Sequence, residues 1–226
     1  MPLPVEPTLT LILDFVMVSV LTVVILAAGL ARAGASVPRF LGGVGAWMVL
    51  TGGLAGAGLL AHFDPPRPLP LLILAVVGVA WFVRSEDYGG KLAALPLGLI
   101  VGFQGFRVLV ELIIHRAAME GVAPLEMSWS GHNYDIVTGL TACLLIPLAG
   151  RVPKVVLHLW NVMGLGLLAV VVGTGMLSMP SPFQQIVTDP PNVWIAHFPY
   201  IWLPTVLVAS ALIGHGVLFR ALRRGG

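Results

Sequence analysis

The chain of 226 residues contains one cysteine, and only 10% of it is Asp, Glu, Lys or Arg. Soluble proteins carry about 25% charged residues. The shortfall excludes an ordinary water-soluble domain, because 58% of the residues are hydrophobic and a chain this short cannot enclose so much apolar surface. The single cysteine, Cys143, lies in an apolar run, so no internal disulfide forms and no CxxC pair suggests zinc or redox chemistry. The net charge is only +2, and no dense basic patch with interleaved aromatics is present, which excludes nucleic acid as a partner. No Lys or Arg precedes Arg32, and a secretory signal begins with a positive segment. The first apolar run is therefore expected to be a retained transmembrane helix.

What the chain has instead is long apolar runs. A helical crossing needs about 17–25 such residues. Seven candidates lie near 8–31, 40–62, 68–84, 92–115, 134–150, 154–178 and 197–219, separated by breaks rich in Pro, Gly or charge. They do not alternate with period two, which argues against a barrel. The expected fold is an all-α integral membrane protein, a single domain over 1–226 built as a seven-helix bundle. Nine Lys and Arg fall on one side of the seven spans and two on the other, with Arg107 inside a span. The positive-inside bias then sets the N-terminus outside and the C-terminus in the cytoplasm, which agrees with an odd span count.

The segments 116–133 and 179–196 are the longest connections and are expected on the outer side, as membrane-surface loops or as lids over a site. Trp129, Trp194 and Trp202 are expected at the outer interface and Trp81 at the inner one. The second span is dense in glycine, with Gly52 and Gly56 in small-xxx-small spacing, and is expected to pack closely on neighbouring helices. No internal repeat is visible, which weighs against an inverted-repeat transporter.

The fourth span carries the unusual residues. Within GFQGFRVLVELIIHRAAMEG, Gln104, Arg107, Glu111 and His115 recur every three or four residues and share one helix face. A lone charge at that depth costs about 2.5–3.5 kcal/mol, so Arg107 and Glu111 are expected to neutralise each other and to face the bundle interior. Asp14, Asn133, Asp135 and His197 fall at similar depth on other spans and, with Glu111 and His115, define an outer polar layer. His158, Asn161 and His215 make a sparser inner layer, and Gln104 lies between the two. The Arg107–Glu111 pair reads either as a register-fixing ion pair or as a functional one. Asp14 reads either as a carboxylate bonded to a neighbouring helix, with Arg107 as one candidate, or as part of the site.

Three functional readings follow. In the first, Asp14, Gln104, Arg107, Glu111, His115, Asn133, Asp135 and His197 line an outward-facing cavity for a small polar or amphipathic ligand, bound or transported with proton linkage. The inner histidines would extend the path to the cytoplasm. In the second, an intramembrane enzyme uses Glu111 and His115 at i,i+4 with His197, Asp135 or His132 on a metal, or holds haem between His158 and His215. HExxH, HxxxH and CxxCH are all absent, so no metal or cofactor is expected. In the third, the chain is a structural or sensory subunit; its short tail, ALRRGG, has no room for an output module, so a separate membrane partner or a homo-oligomer would carry the signal.

The run FRVLVELIIHRAAMEGVAPLEM, followed by NYDIVTGLTA and later HFPYIWLPTVLV, resembles a family of uncharacterised bacterial inner-membrane proteins. The resemblance covers the fourth, fifth and seventh spans. It implies a multi-pass protein of the bacterial inner membrane and brings no activity with it. The seven-helix outline also resembles rhodopsins, but the last span has no lysine for a retinal Schiff base, and the paired histidines of the ceramidase-like hydrolases are missing.

Overall fold

The computed structural model describes residues 1–224, and among these it is helical with no strand. Eight helices follow the apolar runs: α1 (Leu9–Arg32), α2 (Val37–Gly56), α3 (Leu69–Arg84), α4 (Leu97–Gly102), α5 (Phe106–Met119), α6 (Ile136–Leu145), α7 (Lys154–Ser178) and α8 (Val208–Arg224). A 3₁₀ turn at Phe103–Gly105 joins α4 and α5 into one rod over Leu97–Met119, and a π turn at Leu203–Leu207 extends α8 to Leu203–Arg224. These two rods, α1 and α7 are long and apolar enough to cross a membrane, whereas α3 and α6 are shorter apolar helices. Helix α2 has the length, but its glycines dilute its apolar character.

Local chemistry sets the ends. The Thr8 hydroxyl accepts from the Leu11 amide and caps α1. Gly58 and Gly121, at φ 71° and 74°, turn the chain after α2 and α5, where a Cβ would be strained. The turn at Gly58 is why α2 stops at Gly56, six residues before the end expected from hydropathy alone.

The apolar interior falls into two clusters. One gathers Leu11, Phe15, Val110, Ile114, Leu168, Trp194 and Tyr200; the other gathers Leu30, Phe82, Val101, Leu157, Trp160 and Val217. The first shows that parts of both long connections, expected as membrane-surface loops or lids, are interior, while Phe183 and Val187 of the second remain exposed. Val122, Ala123, Val193, Trp194 and Ala196 are fully buried, as are Tyr200 and Ile201 at the start of the expected seventh span. Phe15, Trp194 and Tyr200 form a ring cluster with centroids 5.1–6.2 Å apart. The segments 122–124 and 192–196 fold inward, where Val122, Val193, Trp194 and Ile195 bury their apolar side chains. Trp194 is thus a core residue and not an interface anchor, while Trp81 is exposed on its helix. Gly52 packs against the rings of Trp202 and Phe198, and Gly42, Gly43, Gly45 and Gly53 face open space, so most of the thin surface of α2 is not used for helix contact.

Candidate functional site

The rod Leu97–Met119 carries Gln104, Arg107 and Glu111 into the interior, each almost completely buried. Their partners come from three other elements. The Arg107 guanidinium forms a two-pronged pair with Asp135, which opens α6: Nε donates to Oδ2 at 2.6 Å and Nη2 donates to Oδ1. Its Nη1 donates to His215 Nε2 on α8 at 2.9 Å, and Nη2 reaches the Gly164 carbonyl of α7 at 3.4 Å. One arginine therefore ties α5 to α6, α7 and α8.

The tautomer of His215 follows from this geometry. Arginine has only donors, so Nε2 of His215 accepts and the ring proton sits on Nδ1. Nδ1 donates to Asn161 Oδ1 at 2.7 Å, and Asn161 Nδ2 returns a bond to the His215 carbonyl at 3.2 Å. On the other side, Asn133 Nδ2 donates to Glu111 Oε2 at 2.7 Å and to the Met127 carbonyl at 2.9 Å. Asn133 Oδ1 accepts from the Asp135 amide at 3.0 Å. The result is one chain of contacts, Glu111–Asn133–Asp135–Arg107–His215–Asn161, lying between the two apolar clusters.

Several expectations need correction against this arrangement. Arg107 and Glu111 are not an ion pair: Arg107 takes Asp135, and Glu111 takes the Asn133 amide. The two-pronged carboxylate and the imidazole occupy more of the guanidinium's donors than a same-helix glutamate would. The separate outer and inner layers also merge, because Arg107 spans from Asp135 to His215. Side chains lean toward the start of their helix, and the long arginine stem covers the difference in depth. Gln104 donates to the Ala211 carbonyl at 3.0 Å beside this chain.

Four expected members lie elsewhere. Asp14 pairs with Arg116 at 2.5 Å, where Arg116 also bonds Glu120 at 2.8 Å and Thr10 at 2.6 Å; this cluster is part-exposed. His115 is stacked on Trp129 with centroids 4.0 Å apart, and His158 lies against Phe219 on α8. His197 contacts the Met1 carbonyl through Nε2 at 3.1 Å. Among the described residues no three His, Cys, Asp or Glu side chains converge as a metal would require, and both ring nitrogens of His215 are taken by Arg107 and Asn161.

Gly164 was not among the residues the sequence singled out. A Cβ there would stand 2.7 Å from His215 Cε1 and 2.8 Å from Thr138 Cγ2, so the close approach of α7 and α8 depends on it. Helix α7 carries four glycines, at 164, 166, 173 and 175, and nothing in the sequence tells which of them makes such a contact. The space bordered by Arg107, Glu111 and Asp135 is about 20 Å³. That is room for about one water.

No protein family, curated protein or solved structure matches this chain. Its chemistry is therefore read from its own residues.

Proposed function

We propose that the chain is a seven-span membrane protein, N-terminus outside and C-terminus cytoplasmic, that binds or transports a small polar or amphipathic ligand with proton linkage at the Arg107 cluster. The shorter helices α2, α3 and α6 complete the seven crossings in this reading, and the bias of nine basic residues against two supports the orientation. The resemblance of the 106–127 run is the support for a bacterial inner membrane.

One observation carries the functional part. The cluster buries two carboxyl groups, Glu111 and Asp135, with one fixed cation, Arg107. Asp135 holds the guanidinium, whereas Glu111 has an uncharged amide as its partner. In a low-dielectric interior the unmatched carboxyl is neutral only with a proton, and intramembrane groups of this kind mark proton and substrate paths. Because Arg107 connects four helices, a shift of α7 and α8 against α5 and α6 would break its contacts to His215 and Gly164 and widen the 20 Å³ space, while the Asp135 and Asn133 pairs within α5 and α6 stay in place.

The test is infrared spectroscopy of the full chain in lipid, comparing wild type with Glu111→Gln. A protonated carboxylic-acid band present in the wild type and missing in the variant is expected. Absence of any such band while the chain is folded would mean that no proton resides at Glu111, and the proton-linked reading would fall.

A further inference from the structure

Helices α2 and α3 stand side by side without filling the space between them. Gly43 on α2 and Gly78 on α3 would each meet nothing within 4 Å if they carried a Cβ. Between them runs an apolar slot of about 400 Å³, lined also by Leu26 of α1, by Trp47 and by Val206 and Ile213 of the last rod. That volume lies within the range of about 300–1,000 Å³ for small-molecule sites. Two of its lining residues are bonded to each other, since Trp47 Nε1 donates to the Thr205 carbonyl at 3.1 Å.

The slot has a polar mouth. Arg39 and Tyr88 line its end and also line a second compartment of about 310 Å³, bordered by Ser36, Asp87 and Lys91. Tyr88 is fixed there by stacking on Phe82 at 5.1 Å. Lys91 donates to the Gly34 carbonyl at 2.9 Å and stands 3.8 Å from Asp87. Arg39 has no hydrogen-bond or ion-pair partner among the described residues. Two cations against one carboxylate leave the mouth positive.

We infer that this paired space is a binding site for an anionic phospholipid, with one acyl chain between α2 and α3 and the phosphate on Arg39 and Lys91. The apolar slot matches a hydrocarbon chain, and the cationic mouth matches a charged head group at the membrane surface. A second apolar groove, about 480 Å³ and bordered by Gly29, Arg32, Gly98 and Val217, shares no lining residue with such a polar compartment. The site follows from the membrane setting alone and not from the reading of the Arg107 cluster.

Native mass spectrometry of the full chain in detergent, titrated with phosphatidylglycerol or with phosphatidylcholine of the same chains, tests it. One phosphatidylglycerol per chain is expected, bound about tenfold or more tighter than phosphatidylcholine. Arg39→Gln and Lys91→Gln should each weaken it about fivefold. Gly78→Leu, which fills the slot, should remove the preference at unchanged melting temperature. Equal binding of the two lipids, or a preference untouched by Arg39→Gln, would overturn the site and leave only surrounding bilayer lipid. Displacement of the lipid by inorganic phosphate alone would also overturn it, because the slot would then contribute nothing. Arg39 is exposed, so its variant keeps the test decisive even if Gly78→Leu does not fold.

Discussion

Helix α5 carries two arginines nine residues apart, and they live in opposite surroundings. Arg107 is 2% exposed and bonds an aspartate, a histidine and a backbone carbonyl from three other helices. The Arg116 side chain is 38% exposed and bonds Asp14, Glu120 and Thr10 in a part-exposed cluster. Both engage carboxylates at short range, yet only the first is shielded from water. The comparison teaches that partner count says little about what a charge is worth. Dielectric and the lack of a solvent alternative decide it.

The largest effect should come from Arg107→Ala. It leaves Asp135 buried without its cation, which costs about 3–5 kcal/mol, read as a collapse of the melting temperature in detergent. A melting temperature equal to that of Arg116→Ala would break the comparison. Next comes Gly164→Ala, whose added methyl would crowd His215 and Thr138 and cost about 1–3 kcal/mol. If that variant melted like the wild type, α7 and α8 would have slack and the buried network would be less rigid than its contacts suggest.

Arg116→Ala should cost about 0–1 kcal/mol in the same assay, and added salt should shrink the difference further. The smallest effect concerns Glu120. Its slight burial pushes its carboxyl up, but hydrogen bonds from Thr8 and Arg116 outweigh this and hold it below the ordinary range. A group lowered in the folded state contributes stability above its unfolded value and loses it as the pH falls through the folded value. Wild type should therefore lose a small margin over Glu120→Gln in acid, and melting curves at neutral and acid pH would show the two converging. A gap that widened in acid would contradict the contacts drawn at this surface.

Much of the scaffold was legible in the sequence. Apolar runs bounded by Pro and Gly locate α7 closely, where 154–178 matches Lys154–Ser178, but miss by five or six residues at the ends of α2 and α6 and at both ends of the last rod, Leu203–Arg224. Helical spacing also placed Gln104, Arg107 and Glu111 on the buried face. The pairing was not legible. Position 111 is the nearest carboxylate along the helix, but Asp135, 28 residues away, supplies the two-pronged contact. Nor did spacing distinguish His158 from Asn161, three residues apart on α7, of which only Asn161 reaches His215. The buried end of the second connection was missed for a related reason: 192–196 is too short to read as an apolar helix, although Trp194 finds a core to fill beside Phe15 and Tyr200.

The sequence by itself determined that the chain is helical, that membrane-length apolar helices dominate it, and that one of its rods carries ionisable residues inward. Those features depend on local hydropathy and period, which act over a few turns. Only the tertiary structure decided that Arg107 joins Asp135 to His215, that Glu111 is left with Asn133, and that α2 and α3 enclose an open slot. Such outcomes depend on which side chains arrive at the same depth from different helices. That is set by helix packing, by the glycine at 164, and by the reach of a single arginine.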